Sequence, residues 1–132
     1  MPWTDWRRAV QSVQHCDLLI VGGGGLFNSY LNYGPEDLLV QSTSFGSFIF
    51  GLPVLAHMLG KPVYICAIGA GQFNSAEALR HARMAVKLAT VCTVRDLASK
   101  RLLDPATPAD GRIRVTADAA FRLENADVEA LV

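Results

Sequence analysis

DLLIVGGGGLF, at residues 17–27, joins a run of apolar residues to four consecutive glycines. A continuous apolar run that ends in glycine is typical of a strand buried on both faces of a parallel sheet. The glycines allow a sharp turn and leave the backbone N–H groups accessible, because no Cβ stands in the way. Ligands of open α/β sheets bind outside the carboxyl ends of the strands. We therefore expect the functional site to begin at residues 22–25.

Three further apolar segments predict the rest of a sheet, at residues 63–68, 91–94 and 113–116. Apolar residues recur at helical spacing in four segments outside these strands, at residues 4–15, 45–59, 75–89 and 96–103. Such strand–helix repeats form a parallel sheet with right-handed crossovers and helices on both faces. The prediction is an α/β fold: a Rossmann-like three-layer α/β/α domain over residues 1–123, with a mainly parallel sheet of about four strands. Residues 124–132 are then an exit segment or linker.

Capping residues mark the ends of these helices. Thr4, Ser75 and Asp96 each stand where a side-chain oxygen can accept from the first helical turn. Gly60 follows the second helix and is suited to end it. Pro53 should kink that helix or mark a restart near Gly51. The polar and aromatic segment at residues 28–44 is a long loop on the expected ligand edge.

The composition excludes several classes of protein. The 132 residues are 51% hydrophobic and carry 12 basic and 12 acidic side chains, so the formal net charge is zero. The chain is too apolar to be disordered, and it lacks the positive charge of a nucleic-acid or membrane-surface binder. Its longest apolar stretch, residues 45–59, is shorter than the roughly 20 residues of a membrane span. We expect no nucleic-acid partner and no membrane span, and the neutral charge permits self-association.

The cysteines and the N-terminus indicate a compartment. Cys16, Cys66 and Cys92 do not have the spacing of a metal site, and we interpret them as small buried hydrophobes in a reducing cytosol. The N-terminal MPWTDWRR lacks the apolar region of a signal peptide. The expectation is a cytoplasmic protein with no bound metal.

Four predicted strand exits meet at one edge of the sheet: residues 22–25, residues 69–75, Arg95 with Asp96, and Asp118. Two glycine turns that offer backbone N–H donors, together with an arginine, suit a phosphate or a carboxylate. No Gly-Lys-Ser/Thr follows the glycines, which excludes a Walker A loop. Phe27 stands where a dinucleotide fingerprint needs its third glycine, and no acid ends the second strand. A nicotinamide or flavin enzyme is therefore disfavoured.

Arg95 is the most informative charged residue, because it follows an apolar strand and emerges at the sheet edge. It could hold a carboxylate or phosphate with two parallel hydrogen bonds, or it could form a structural ion pair with Asp96 or Asp118. Asp96 and Ser99 are interpreted as residues that start a helix. Asp118 could cap a turn, pair with Arg95 or bind a ligand, and capping is favoured.

Four motifs in this order resemble the polysaccharide pyruvyl transferase family. They are DLLIVGGGGLF, then GKPVYICAIGAG, then TVRDLASKRLL, then VTADAAFRL, and the resemblance spans residues 16–123. It implies one Rossmann-like half of a GT-B-type protein, with the active site between two halves. It also implies transfer of a pyruvyl group from phosphoenolpyruvate to a sugar, as a ketal on a cell-envelope polysaccharide, with no cofactor.

The resemblance assigns residues to the cleft. Substrate-binding positions are Gly23, Gly24, Gly25, Gly69, Gly71 and Arg95, and supporting positions are Asn28, Asp96, Ser99 and Asp118. Arg95 is the candidate for holding the carboxylate or phosphate of the anionic donor. The catalytic residues stay unassigned.

Two departures from the family pattern bear on function. The second turn of the family commonly reads Gly-x-Gly-Pro, whereas Gln72 follows Gly71 here. The chain also supplies one half of the expected molecule, so a missing second domain or a homo-oligomer would complete the site. We expect the isolated chain to be unable to catalyse the transfer.

Two other functions remain open at this point. One is the half of a GT-B glycosyltransferase that binds a nucleotide-sugar, which would need an acid for the ribose or an aromatic for the base. The other is a non-catalytic domain that self-associates, which would be favoured if the apolar stripe of residues 45–59 were exposed.

Overall fold

The computed structural model describes residues 6–29, 38, 45–104 and 111–122. The strands are β1 (Leu19–Gly22), β2 (Val63–Ile68), β3 (Val91–Val94) and β4 (Ile113–Val115), and the helices are α1 (Trp6–His15), α2 (Phe45–Met58), α3 (Ala76–Leu88) and α4 (Leu97–Leu103). A short 3₁₀ turn, Ala119–Arg122, follows β4. These elements confirm the predicted mainly parallel α/β domain of the Rossmann-like class.

The sheet is built in chain order. β1 pairs with β2, β2 with β3 and β3 with β4, and every pair is parallel. Crossovers between adjacent parallel strands are right-handed, so a sheet in this order places α2, α3 and α4 on the same face. α1 joins that layer through α2, because the rings of Trp6 and Phe48 stack with centroids 4.6 Å apart.

The core lies between that helical layer and one face of the sheet. Its strand residues alternate along each strand and are all buried: Val21, Val63, Ile65, Cys92, Val94 and Ile113. Phe27 and Phe50 are fully buried and pack edge to face, with ring centroids 5.1 Å apart. Since Phe27 lies two residues after the last glycine of the turn that follows β1, the core also fixes the position of the expected ligand edge.

The second face of the sheet is open in the described part of the chain. Ile20, Tyr64 and Val91 are register partners across β1, β2 and β3, and their exposed fractions are 61%, 36% and 38%. The expectation that β1 is buried on both faces is therefore wrong for Ile20. The described residues form two layers, one of helices and one of strands, and the second helical layer of the predicted α/β/α arrangement is not among them. An apolar run shows that a strand is apolar on both sides, but it does not show that both sides are covered.

The predicted caps are confirmed where the structure describes them. The Ser75 side chain accepts from Ala78 N, and Asp96 accepts from Ser99 N. Gly60 ends α2 at φ +69°, and the amide of Lys61 reaches back to Ala56 O at 2.8 Å, which is the pattern of a Schellman motif. The Thr4 cap, most of the loop at residues 28–44 and the exit segment at residues 124–132 lie outside the described residues.

Pro53 lies inside α2 and does not end it, because one helix is assigned through to Met58. Pro53 is also fully buried. No helix within the described ranges is long and apolar enough to cross a membrane.

All three cysteines are free, but they are not equally buried. Cys92 is in the core, and burial raises the pKa of its thiol to about 12. Cys16 and Cys66 are half-buried, so the prediction that all three are core residues is correct for Cys92 alone. Across the described residues, no group of three or more His, Cys, Asp or Glu side chains could hold a metal ion.

One-sided burial of the sheet predicts different effects for two isoleucines on neighbouring strands. Ile65→Ala removes a side chain that is fully buried, and we expect it to lower the free energy of unfolding by about 2–5 kcal/mol. Ile20→Ala removes one that is mostly exposed, and the loss should stay below about 1 kcal/mol. Urea denaturation of both variants measures the difference. Equal losses would mean that the second face is covered in solution.

Candidate functional site

β2 carries an irregularity just before the ligand edge. Its register with β3 shifts between Ile65 and Ile68, and Ala67 lies at φ +50°, a conformation uncommon for a residue with a side chain. The amide of Ala67 donates to the Thr93 hydroxyl at 2.7 Å, which holds the bulge against β3. A bulge of this kind redirects the residues that follow it, and here those residues are the second glycine turn.

The two glycine turns are held against each other by backbone hydrogen bonds. Gly69 N donates to Gly24 O at 2.9 Å, Phe27 N donates to Gly69 O at 3.3 Å, and Gly71 N donates to Phe27 O at 3.0 Å. Phe27 and Ala70 form an isolated parallel bridge. The pairing of β1 with β2 therefore resumes beyond the strands and makes one continuous floor from the two turns.

This pairing changes the role of the glycines. The amides of Gly23, Gly69 and Gly71 already donate to backbone oxygens, and the amide of Ala70 donates to the Ser99 hydroxyl at 2.8 Å. The expectation that these turns offer N–H donors to a ligand therefore fails for these four amides. Gly23 and Gly24 are needed for the turn itself, because both have positive φ angles, +87° and +70°.

Ser99 links α4 to the second turn. Its side chain is 1% exposed, and besides accepting from the amide of Ala70 it donates to Ala70 O at 3.4 Å. Its own amide donates to Asp96 Oδ1 at 2.6 Å. Ser99 thus positions the turn and the helix start, as its interpretation as a helix-start residue predicted, and it lies beneath the pocket surface.

Arg95 lies directly over Gly69. A Cβ built on Gly69 would lie 2.6 Å from Nε and 2.8 Å from both Cζ and Nη2 of Arg95. The guanidinium therefore occupies the space that a side chain at position 69 would need. The backbone N–H of Arg95 donates to Ile68 O at 2.9 Å, which fixes where the side chain leaves the sheet. Any side chain at position 69 would displace the guanidinium.

Arg95 also forms the ion pairs that the sequence left open. Its Nη1 donates to Asp118 Oδ2 at 3.0 Å, and its Nε lies 3.8 Å from Asp96 Oδ2. The Arg95 side chain nevertheless stays 39% exposed. The structure thus contains both ion pairs that the sequence suggested. They hold Arg95 in place while part of its side chain faces solvent.

The carboxylates of Asp96 and Asp118 also accept hydrogen bonds from the backbone at this edge. The amide of Ser99 is the main cause that lowers the pKa of Asp96, whereas for Asp118 the amide of Ala120 lowers the pKa most and Arg95 adds to the effect. Asp118 therefore caps the 3₁₀ turn and pairs with Arg95 at once. Both groups are ionised at neutral pH.

These residues surround a pocket of about 220 Å³ at the carboxyl edge of the sheet. Its lining consists of Gly25, Asn28, Gly69, Ala70, Gly71, Gln72, Arg95 and Asp96. The pocket is below the roughly 300–1,000 Å³ typical of drug-sized ligands, so it suits a compact metabolite or one end of a larger one. Six of the predicted positions come together here, while Gly23, Gly24, Ser99 and Asp118 support the pocket without lining it.

The sequence interpretation did not name Ala70 or Gln72 as lining residues. Gln72 lies at φ +52°, and its carbonyl accepts from the amide of Ser29 at 3.3 Å. A signal was present, because Gln72 stands where the family commonly has proline. The conformation of Gln72 follows from the pairing of the two turns, which no local pattern encodes.

A larger depression, about 690 Å³, lies elsewhere on α3 beside Arg80, Arg83 and Lys87. Arg83 is committed to structure there, because its Nε and Nη2 donate to Leu102 O at 3.1 and 2.9 Å and so complete the C-terminal turn of α4. This basic surface is away from the strand ends, and we therefore assign the candidate site to the smaller pocket.

Comparison with known proteins identifies the family. The model of the polysaccharide pyruvyl transferase family matches residues 2–130. No curated protein and no solved structure matches the chain.

Two glycines of the pocket should respond differently to alanine. Gly69→Ala places a Cβ against the guanidinium of Arg95, so the guanidinium should move and its contact with Asp118 should break. An exposed ion pair contributes little to stability, so the fold should survive. Gly71→Ala is the matched control, because a Cβ there meets nothing within 4 Å.

The ¹H–¹⁵N NMR signal of Arg95 Nε reports the difference directly, and its assignment comes from the signal that disappears in Arg95→Lys. We expect a clear shift of this signal in Gly69→Ala and little change in Gly71→Ala. An unmoved signal in Gly69→Ala would show that the guanidinium does not lie over the glycine in solution.

Proposed function

Because the chain belongs to the polysaccharide pyruvyl transferase family, we propose that it forms one half of a GT-B-type pyruvyl transferase. The proposed reaction moves a pyruvyl group from phosphoenolpyruvate to a sugar of a cell-envelope polysaccharide, as a ketal, without a cofactor. The observation that supports this proposal is the pocket of Gly25, Gly69 and Arg95 at the carboxyl ends of β1, β2 and β3. There a fixed guanidinium faces a space of the size of a small anionic metabolite.

The chemistry of ketal formation sets what such a site must supply. Two sugar hydroxyl oxygens form bonds to C2 of phosphoenolpyruvate, and the bond from C2 to the phosphate oxygen breaks. C3 accepts one hydroxyl proton and becomes a methyl group, while the other proton leaves with inorganic phosphate. The protein must therefore bind an anionic donor and move protons near neutral pH.

The pocket is suited to bind an anionic donor, but its residues are not suited to move protons near neutral pH. Of the described residues that line it, Arg95 and Asp96 are the two that ionise. Arginine stays protonated in proteins, and Asp96 has a lowered pKa, so neither is suited to exchange a proton near pH 7. We propose that the proton-transfer groups and further cations come from a second domain or from a second copy of the chain. The isolated chain would then bind donor without completing the transfer.

The proposed partners are the anionic donor and a sugar acceptor. We place the protein in the cytoplasm, because its three free cysteines suit a reducing compartment. The alternative of a self-associating domain rested on exposure of the apolar stretch at residues 45–59. Phe48, Ile49 and Phe50 of that stretch are buried and Met58 is 70% exposed, so the stretch gives this alternative little support. The exposed row of Ile20, Tyr64 and Val91 is the feature that would now favour it.

Donor binding can be tested on this chain alone by thermal unfolding with phosphoenolpyruvate. At concentrations far above the dissociation constant, the ligand should raise the free energy of unfolding by about 1–3 kcal/mol. Arg95→Ala should remove this response, because the variant loses the one cation of the described pocket lining. Arg101→Ala is the matched control, since it makes the same charge change at an exposed position of α4 outside the pocket.

The other outcomes separate the competing functions. A response to uridine or guanosine diphosphate alone would favour a nucleotide-sugar enzyme. Self-association that grows with protein concentration, with no ligand response, would favour a non-catalytic domain. If the Arg95→Ala variant is still fully stabilised by phosphoenolpyruvate, then Arg95 does not bind the donor. Ketal formation by the isolated chain, in an assay with donor and glycan, would contradict the need for a second domain.

A further inference from the structure

β2 contains one residue more than β3 can pair with, just before the pocket. Ile65 pairs with Cys92 of β3. Three positions later in β2, Ile68 pairs with Val94, which is two positions later in β3. One residue of β2 is therefore extra, which defines a β-bulge. The backbone accommodates it at Ala67, where φ is +50°. Residues after the bulge then alternate between the two faces of the sheet in the opposite phase to residues before it.

This change of phase decides which residue lies beside Arg95. Ile65 and Ile68 both face the core, although three positions separate them. The next residue, Gly69, therefore lies on the same side as Arg95, and the guanidinium occupies the space that a side chain there would need. In a regular parallel ladder continued from Ile65, Ile68 would stand opposite Arg95 instead. The bulge thus puts a glycine where an isoleucine side chain would exclude the guanidinium.

Thr93 is the residue of β3 that lies opposite the bulge. Its hydroxyl accepts from the amide of Ala67 at 2.7 Å. A bulge leaves the extra residue without a partner on the neighbouring strand, and an unpaired amide inside a protein is unfavourable. The left-handed conformation is also unfavourable for alanine, because alanine has a Cβ. The Thr93 hydroxyl therefore stabilises the backbone at the one point of β2 where both effects oppose the observed conformation.

We propose that Thr93 is a positioning residue of the pocket. It is not among the described residues that line the pocket, so it acts through the backbone of β2. Its hydroxyl holds the bulge, and the bulge places Gly69 beside Arg95. The inference rests on the proposed function only for the ligand that one arm of the test uses.

Thr93→Val tests this role on the full chain, because valine keeps the side-chain shape and removes the hydroxyl. Hydrogen exchange of the Ala67 amide should become about tenfold faster, the factor that corresponds to one typical hydrogen bond. The NMR signal of Arg95 Nε should shift clearly, because Gly69 changes its position relative to the guanidinium. Thr93→Ser keeps a hydroxyl, and it should restore both the slow exchange and the wild-type Arg95 signal.

Thr90→Val is the matched control. The hydroxyl of Thr90 accepts from the amide of Val63 at 3.3 Å, at the other end of β2. The substitution therefore removes a hydrogen bond of the same kind and leaves the bulge in place, so the Arg95 signal should not move. An unmoved Arg95 signal in a folded Thr93→Val, or a shift as large in Thr90→Val, would overturn the proposal. A Thr93→Ser variant that behaves like Thr93→Val would overturn it as well.

The wild type provides a test even if Thr93→Val does not fold. The proposal requires slow exchange of the Ala67 amide and a strong NOE between its amide proton and its own Hα, which is the mark of a positive φ. Rapid exchange or a weak NOE would show that the bulge is not held in solution, and the proposal would fail.

Phosphoenolpyruvate separates this proposal from the proposed function. Its dissociation constant should rise by about tenfold in Thr93→Val, by the same hydrogen-bond factor, and stay unchanged in Thr90→Val. Equal binding by the wild type and Thr93→Val would overturn the role of Thr93 in the pocket. If phosphoenolpyruvate does not stabilise even the wild type, the proposed function fails. The exchange and Arg95 measurements need no ligand, so they then still decide whether Thr93 positions the pocket.

Discussion

The site depends on the absence of one atom, a Cβ at position 69, between the backbone and the guanidinium of Arg95. Because that space is free, the guanidinium covers the second glycine turn and reaches Asp118 with one edge while the other edge faces the pocket. The backbone hydrogen bonds between the two glycine turns hold Gly69 in its position beneath the guanidinium. The glycine thus provides close packing between a side chain and the main chain, and its amide is not available to a ligand.

Local sequence signals were enough for the elements and for the edge where they end. Apolar segments ending in glycine or in Arg95 identify the strand exits, and Ser75 and Asp96 mark helix starts that the structure confirms. The contact between Arg95 and Asp118 is different, because it joins residues 23 positions apart and exists since β4 pairs with β3. Sequence patterns leave that strand order open, and so they left the partner of Arg95 open as well.

Burial was predicted less well than secondary structure, for a related reason. Leu18, Leu19, Ile20 and Val21 are all apolar, so the sequence does not distinguish the side of β1 that meets the helices from the side that does not. The order of the sheet decides it, since crossovers between neighbouring parallel strands place α2, α3 and α4 on the same face. Ile20 and Tyr64 then face away from the core.

Gln72 shows how a departure from the family pattern can follow from backbone geometry. Proline is confined to φ near −65°, whereas Gln72 lies at φ +52°, so proline could not occupy this position in the observed conformation. That conformation directs the Gln72 carbonyl to the amide of Ser29, which extends the pairing of the two turns past Gly71. A chain with proline there would have to end the second turn differently. The residue at position 72 therefore affects how closely the two turns approach, and through them the floor on which Arg95 rests.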